Sequence, residues 1–285
     1  MPLPGMVECH PYDVRSDAPG VHRGLPSPYL TFVVTIGEPL RLAVPDGGSV
    51  PFRVCLGGLH DTPEHIIDPG HQAGIHVAVH PLAARTLFGL PAAALAGDSY
   101  EAADVLGRVG AEIAERVDAA GTWPARIAVI DDVLGRLRAA HDERRRAEDE
   151  VRHAWRRIVG GRSVRETAHE VGWSPDHLAR RFRAEVGVRP KTAGRMARFD
   201  RARRVIAARA VAGTLDLAGV AADLGYADQA HLAREFRALA GCSATRWVEE
   251  EVRSGLVGVE TGVEIGGEIG FVQAPPDAGT PSSAA

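Results

Sequence analysis

One two-part pattern occurs twice in this chain: VRETAHEVGWSPDHLARRFRAEVGV (Val164–Val188) and LAGVAADLGYADQAHLAREFRALAGC (Leu217–Cys242). Val164, Ala168, Val171 and Gly172 correspond to Leu217, Ala221, Leu224 and Gly225 at an offset of 53, and Leu178, Phe182 and Gly187 to Leu232, Phe236 and Gly241 at an offset of 54. The second copy therefore carries one extra residue at its turn. Apolar residues three and four apart specify helices, and their repetition specifies two copies of one helical unit.

Within the first copy, Val164, Ala168 and Val171 share one face of a short helix, and Gly172 can take the left-handed geometry that ends it. Ser174 followed by Pro175 is a strong start for the next helix, because the serine caps free N–H groups and proline is tolerated in the first turn. Leu178, Phe182 and Val186 recur every four residues and must face a core, which turns Asp176, Arg180 and Arg183 outward. In the second copy Leu232, Phe236 and Leu239 face inward and Ala230, Arg234 and Arg237 outward. The planar guanidinium fork of arginine bridges guanine O6 and N7 or clamps a phosphate.

The repeat sits in a basic stretch that the whole-chain charge of −4 conceals. Residues 1–141 carry 10 Arg against 16 Asp and Glu, whereas residues 152–246 carry 19 basic against 9 acidic residues. That asymmetry is expected of a nucleic-acid module joined to an acidic one. A single lysine, Lys191, stands beside 32 arginines, which reads as GC-rich codon usage. Between the copies runs RPKTAGRMARFDRARRVIA (Arg189–Ala207), with Met196, Phe199, Ala202, Val205 and Ile206 on one stripe. A helix of that length is near 30 Å long at about 1.5 Å per residue, close to the roughly 34 Å between successive major-groove faces.

Residues from about 151 to 249 resemble the AraC/XylS-type transcriptional regulators. The likeness is carried by GWSPDHLARRFRAEVGVRP (Gly172–Pro190), by Arg198–Ile206 and by GYADQAHLAREFRALAGCS (Gly225–Ser243). It implies a DNA-binding domain of two helix-turn-helix units joined by a long helix, with the second helix of each unit in the major groove. The implied DNA-binding residues are Ser174, Asp176, Ala179, Arg180 and Arg183 in the first unit and Gln229, Ala230, Arg234 and Arg237 in the second. Two positions depart from the family pattern: Ala244 stands where a proline is usual and Val248 where a basic residue is usual. These departures remove one phosphate contact, and with the stronger helix start at Ser174-Pro175 they make the first unit the stricter reader of bases. The implied partners are a double-stranded DNA operator and, beyond it, RNA polymerase, an unknown small-molecule effector and a second copy in a homodimer.

The first half reads differently. Residues 1–28 are rich in proline and glycine and read as irregular. Short apolar runs bounded by turn residues follow: Tyr29–Ile36, Leu40–Val44, Phe52–Leu59, Glu64–Asp68 and Gly74–His80. These suit a small antiparallel sheet or barrel. Helical patterns then cover Leu82–Leu87, Ala102–Ala119 and Pro124–Ala140, the last of which either covers the sheet or dimerises the region. This half resembles, more loosely, the sensory halves attached to such domains in GC-rich bacteria, and no ligand transfers with that likeness.

Other chemistries find little support. His60, His65, His71, His76 and His80 crowd into one segment, and His76 and His80 would share a strand face. They lack a compact HxH with a nearby carboxylate, so a polar pocket or sheet surface is the stronger reading than a metal site. Trp155, Trp173 and Trp247 read as core residues of the helical part rather than base-stacking platforms. No segment sets a nucleophile beside a base, and Cys9, Cys55 and Cys242 are too scattered for a methyl-acceptor cluster or a metal. The expectation is therefore a non-enzymatic protein without a cofactor. No apolar stretch approaches the roughly 20 residues of a membrane span, and the start lacks a signal-peptide pattern, so the expected location is cytoplasmic.

The fold class expected is α+β: an N-terminal antiparallel sheet or barrel with helices (residues 1–141, sensory or dimerising), an all-α DNA-binding domain (142–252) and a disordered tail (253–285). The alternative is a ligand- or metal-binding barrel whose helical domain mediates protein contact.

Overall fold

The computed structural model describes residues 7–16, 18–141 and 147–254, so the tail and residues 142–146, where the domain boundary is expected, lie outside the described residues. Among the described residues nine strands form two antiparallel sheets. The first has the order β1 (Val7–Arg15), β8 (His71–Val79), β3 (Leu30–Thr35), β6 (Val54–Gly57) and β9 (Ser99–Glu101). The second has the order β2 (Gly20–Gly24), β7 (Glu64–Asp68), β4 (Leu40–Ala43) and β5 (Ser49–Phe52).

Strand periodicity divides the core. On β3, Leu30, Phe32 and Val34 point to the helices, whereas Val33 points the other way to meet Tyr12, Leu42, Cys55, Phe52 and Ile66 between the sheets. A strand buried on both faces reads as a continuous apolar run, which is why Tyr29–Ile36 stands out in the sequence. Two sequence expectations are corrected in this region. Residues 7–24 are not irregular but supply β1 and β2, and Pro11 is accommodated because β1 is an edge strand. The run Phe52–Leu59 is two strands separated at Arg53, whose N–H is taken by the Glu101 carboxylate at 2.8 Å.

Helices α1 (Ala84–Phe88), α2 (Ala102–Leu106), α3 (Arg108–Ala119) and α4 (Trp123–Ala140) cover the first sheet. The expected single helix Ala102–Ala119 breaks at Gly107, which turns the chain between α2 and α3. Helix α4 starts where Thr122 caps the Ala125 N–H and Pro124 sits in the first turn. It buries Ile130, Val133, Leu134 and Leu137 against the sheet-side core, which accounts for its apolar stripe.

Among the described residues there follow α5 (Asp149–Val159), α6 (Val164–Glu170), α7 (Pro175–Val186), α8 (Pro190–Val211), α9 (Leu217–Asp223), α10 (Gln229–Ala240) and α11 (Ala244–Ser254). The repeat is thus two similar three-helix groups, α5–α7 and α8–α10. Each is pinned by one ring pair between its first and third helices: Trp155 stacks on Phe182 at 5.8 Å, and Phe199 meets Phe236 edge-on at 5.1 Å. The groups differ in what they join. Trp155, Phe182 and Met196 belong to the same continuous core as Phe32 and Leu87, whereas Phe199, Ile206, Phe236 and Trp247 form a separate core that, among the described residues, receives Leu25 alone from the strand region.

Three imidazoles, His22 buried and His76 and His80 half-buried, tie stability to pH. Burial lowers His22 to about 4, His76 to about 3 and His80 to about 4; for His76 the nearby His10, Arg203 and Arg204 add to the effect, and for His22 Asp68 opposes it. Their folded values lie below the unfolded value near 6.5, so the unfolded chain binds more protons between these limits. Stability is therefore full above about pH 6.5 and declines as pH falls toward about 4, by an amount on the order of a few kcal/mol. Denaturant midpoints measured from pH 8 to pH 4 check this, and a midpoint that stays flat or rises on acidification would contradict it.

Candidate nucleic-acid interface

Each helix-turn-helix unit is built from local signals that recur between copies. In the first, Ser163 and Glu166 form a reciprocal capping box at the start of α6. Gly172 and Gly225 turn the chain at φ 71° and 72°, a left-handed conformation that an L side chain adopts only with strain. Helix α7 is started by Ser174, whose Oγ accepts from the His177 N–H at 3.2 Å. Helix α10 is started by Asp228, which accepts from the His231 N–H at 2.6 Å. A repeat feature invisible to the apolar alignment lies here. Trp173 meets His177 edge-on at 4.7 Å, and Tyr226 meets His231 edge-on at 5.3 Å, so an aromatic–histidine pair braces each turn. Both histidines stand at the third position of their helices, and the equivalent spacing of Trp173 and Tyr226 was the available signal.

The outward residues lie where the helical period placed them. Ser174, Asp176, Arg180 and Arg183 are exposed on α7, with Ala179 partly covered, and Gln229, Ala230, Arg234 and Arg237 are exposed at the start and outer face of α10. Arg180, Arg183, Arg234 and Arg237 make no ion pair among the described residues; Arg180 has only His177 Nδ1 at 3.4 Å. The inward arginines behave oppositely. Arg195 and Arg198 of α8 converge on Glu235 of α10 at 3.2 and 2.8 Å, and Arg198 also lies 4.6 Å from the Tyr226 ring centre. Burial opposes ionisation of Glu235, yet Arg198 and Arg195 hold its carboxyl below the ordinary value, so it is charged. Arg204 and Arg203 share Asp200, and Arg181 pairs with Glu148. Arg195 and Arg198 tie α8 to α10, Arg181 ties α7 to the start of α5, and Arg203 and Arg204 pair along α8 itself, whereas the four outward arginines present charge without an ion-pair partner among the described residues.

The far ends of both outward helices are held by residues of the N-terminal half. Glu185 near the end of α7 accepts both its contacts from Arg85 Nε at 2.8 and 2.9 Å. A Cβ at Gly187 would lie 2.3 Å from Ala96 Cβ, and with φ 93° only glycine fits this approach. At the end of α10, Arg23 donates to the Ala240 carbonyl at 3.3 Å and pairs with Glu250 of α11 at 2.7 Å. Thus the C-terminal ends are anchored and the faces bearing the unpaired arginines are open.

The tryptophan expectation is borne out for two residues: Trp155 and Trp247 are buried, while Trp173 is partly buried beside His177. Ala244 is buried at the start of α11 and Val248 packs against the second core, so the two positions that depart from the family pattern serve packing. The five clustered histidines do not converge. His71 pairs with Asp13 at 2.8 Å, His60 contacts the Thr62 carbonyl at 2.6 Å, and His76 stacks on His10. His80 lies beyond the end of β8, contrary to the shared strand face expected of it with His76, because Pro81 stops the strand and His80 caps the Leu82 N–H. Among the described residues no group of three His, Cys, Asp or Glu side chains is placed to hold a metal ion. No helix among them is long and apolar enough to cross a membrane.

Antiparallel sheets followed by a pair of helix-turn-helix units on one long helix, with open basic faces, define a DNA-binding protein of the two-unit helix-turn-helix class. Residues 167–250 match the helix-turn-helix domain family. Over these residues the helical region is an AraC-type helix-turn-helix domain. Among solved structures, similarity extends to ToxT from Vibrio cholerae, at 9% identity and a TM-score of 0.49 over 86% of this chain and 98% of that one. It extends also to unsaturated fatty acid-bound ToxT from strain SCE256, at 11% identity and 0.47 over 91% and 97%. A third similar structure is the C-terminal domain of AraT, a response regulator from Geobacillus stearothermophilus, at 19% identity and 0.32 over 36% and 86%. No curated protein matches the sequence.

Proposed function

We propose that this regulator binds a specific operator by laying α7 and α10 in successive major grooves, with Ser174, Asp176, Ala179, Arg180 and Arg183 on one half-site and Gln229, Ala230, Arg234 and Arg237 on the other. In this reading residues 142–252 bind DNA, residues 1–141 control them, and the protein acts in the cytoplasm without catalysis. The observation that carries the reading is the contrast between arginines: those facing inward are paired with carboxylates, and those on the repeated outward faces are not. Helix α8 supports the spacing, since 22 residues at about 1.5 Å each give roughly 33 Å, near one helical repeat of DNA.

Phosphate neutralisation makes such binding steeply dependent on salt, while base contacts supply selectivity. Affinity for random duplex is expected to fall by at least tenfold between 50 and 200 mM salt, on the order of what a few phosphate contacts produce. Selection from a random DNA pool is expected to return two half-sites about one helical turn apart. A helical region used for protein contact instead would show neither the salt slope nor the paired motif.

A further inference from the structure

The outward faces of α7 and α10 carry charge that nothing else in the helical region balances. Arg180, Arg183, Arg234 and Arg237 are exposed there and make no ion pair among the described residues. The carboxylates of this region are committed elsewhere: Glu170, Asp200, Asp223 and Glu235 to other arginines, Asp216 and Asp228 to helix starts. Among the described residues, Asp176 is the acid that shares the outward face of α7. Counter-charge for these faces must therefore come from outside the helical region.

The chain beyond α11 has the matching charge. Residues 255–285 contain Glu260, Glu264, Glu268 and Asp277 and no lysine, arginine or histidine. The three glutamates recur at every fourth position of VETGVEIGGEI (Val259–Ile269). The segment also starts in the right place. It leaves from Ser254, one turn past Glu250, and Glu250 is held by the same Arg23 that donates to the carbonyl of Ala240 at the end of α10. Helix α10 has 12 residues and is roughly 18 Å long. Extended chain covers about 3.3 Å per residue, so the step from Ser254 to Glu260 spans up to roughly 20 Å and reaches along that helix. From Glu260 to Asp277 the reach is about 56 Å, more than the roughly 33 Å of α8 between the two units. Single exposed pairs of glutamate and arginine are weak, but a tether makes each encounter intramolecular and lets several act together.

We propose that residues 255–285 lie across the outward faces of α7 and α10 when DNA is absent, their carboxylates standing where phosphates would, so that DNA must displace them. The contact follows from charge and reach; its effect on DNA rests on the DNA-binding reading above. Displacement is the same whatever the base sequence. The segment thus lowers affinity for every duplex by a common factor and leaves relative base preference untouched.

Two altered chains test this: the full chain with Glu260→Gln, Glu264→Gln, Glu268→Gln and Asp277→Asn, and a chain ending at Ser254. Both keep every described element. In about 50 mM salt each is expected to bind random duplex about fivefold tighter than the unaltered chain, and the advantage should shrink toward none by about 300 mM, where exposed charges are screened. Without DNA, the side-chain Nε–H NMR resonances of Arg180, Arg183, Arg234 and Arg237 are expected to shift between the unaltered chain and both altered ones. Equal affinity of all three chains at low salt overturns the proposal. So does a gain on truncation that the neutralised segment does not reproduce, an absence of shifts, or shifts confined to other exposed cations such as Arg165, Arg189 and Lys191. The two readings fail separately. Shifted resonances in a chain that binds no DNA would keep the contact and remove the regulator, whereas salt-dependent DNA binding at one affinity in all three chains would do the reverse.

Discussion

Operator affinity falls by about 5- to 150-fold when Arg180 or Arg234 is replaced by alanine, the range that corresponds to losing one bidentate base contact worth about 1–3 kcal/mol. Both side chains are exposed and make no ion pair among the described residues, so their loss leaves no orphaned carboxylate inside the protein. Alanine is also the stronger helix former, and the thermal midpoint should hold or rise slightly. Arg181 provides the internal control. It is the next residue on α7 but is bound to Glu148, and Arg181→Ala should leave sequence preference intact. The two units should not respond equally. Ser174-Pro175 starts α7 firmly, whereas Ala244 and Val248 of α11, at the end of the second unit, are given to packing. Arg180→Ala is therefore expected to relax preference at one base position more than Arg234→Ala, as read by selection from random DNA. Unchanged affinity and preference in both variants would remove the groove assignment.

Phe236→Ala should cost about 3–5 kcal/mol, the usual loss for truncating a fully buried aromatic side chain. The ring is completely buried, meets Phe199 at 5.1 Å and Trp247 at 5.7 Å, and sits at the centre of a core separate from the one holding the first unit to the sheets. The damage should accordingly be local. Amide exchange should accelerate in α9–α11 while α5–α7 keep their protection, because Phe182 and Trp155 belong to the other core. Equal acceleration in both units would show that the two cores unfold as one.

These expectations depend on how clearly the helical region is written in the chain. Every inward position of α7 and α10 named from spacing is buried, and every outward arginine is exposed, because a 3.6-residue period leaves one assignment of faces for a helix that packs on one side. The strand region was legible in part. The run Tyr29–Ile36 declared itself by being apolar on both faces, but β1 and β2 did not. Pro11 and the glycines around Gly20 and Gly24 are turn signals in isolation, and only pairing with β8 and β7 makes those segments strands. The break at Gly107 was hidden for a similar reason: the apolar spacing runs through it, and the corner appears only when α2 and α3 pack on the sheet.

By itself the sequence determined the two repeated units, their inward and outward faces, the length of the helix between them and the basic charge they carry, since each follows from contacts no more than a few turns apart along one chain. Tertiary structure alone decided which arginines are free and which are spent on Glu235 and Glu148. It also decided that Arg85 and Arg23 hold the ends of α7 and α10, and that His22, His76 and Arg203 meet around one cavity. Those arrangements join residues from 33 to more than 200 positions apart, and no local period encodes a distance that only folding brings to contact.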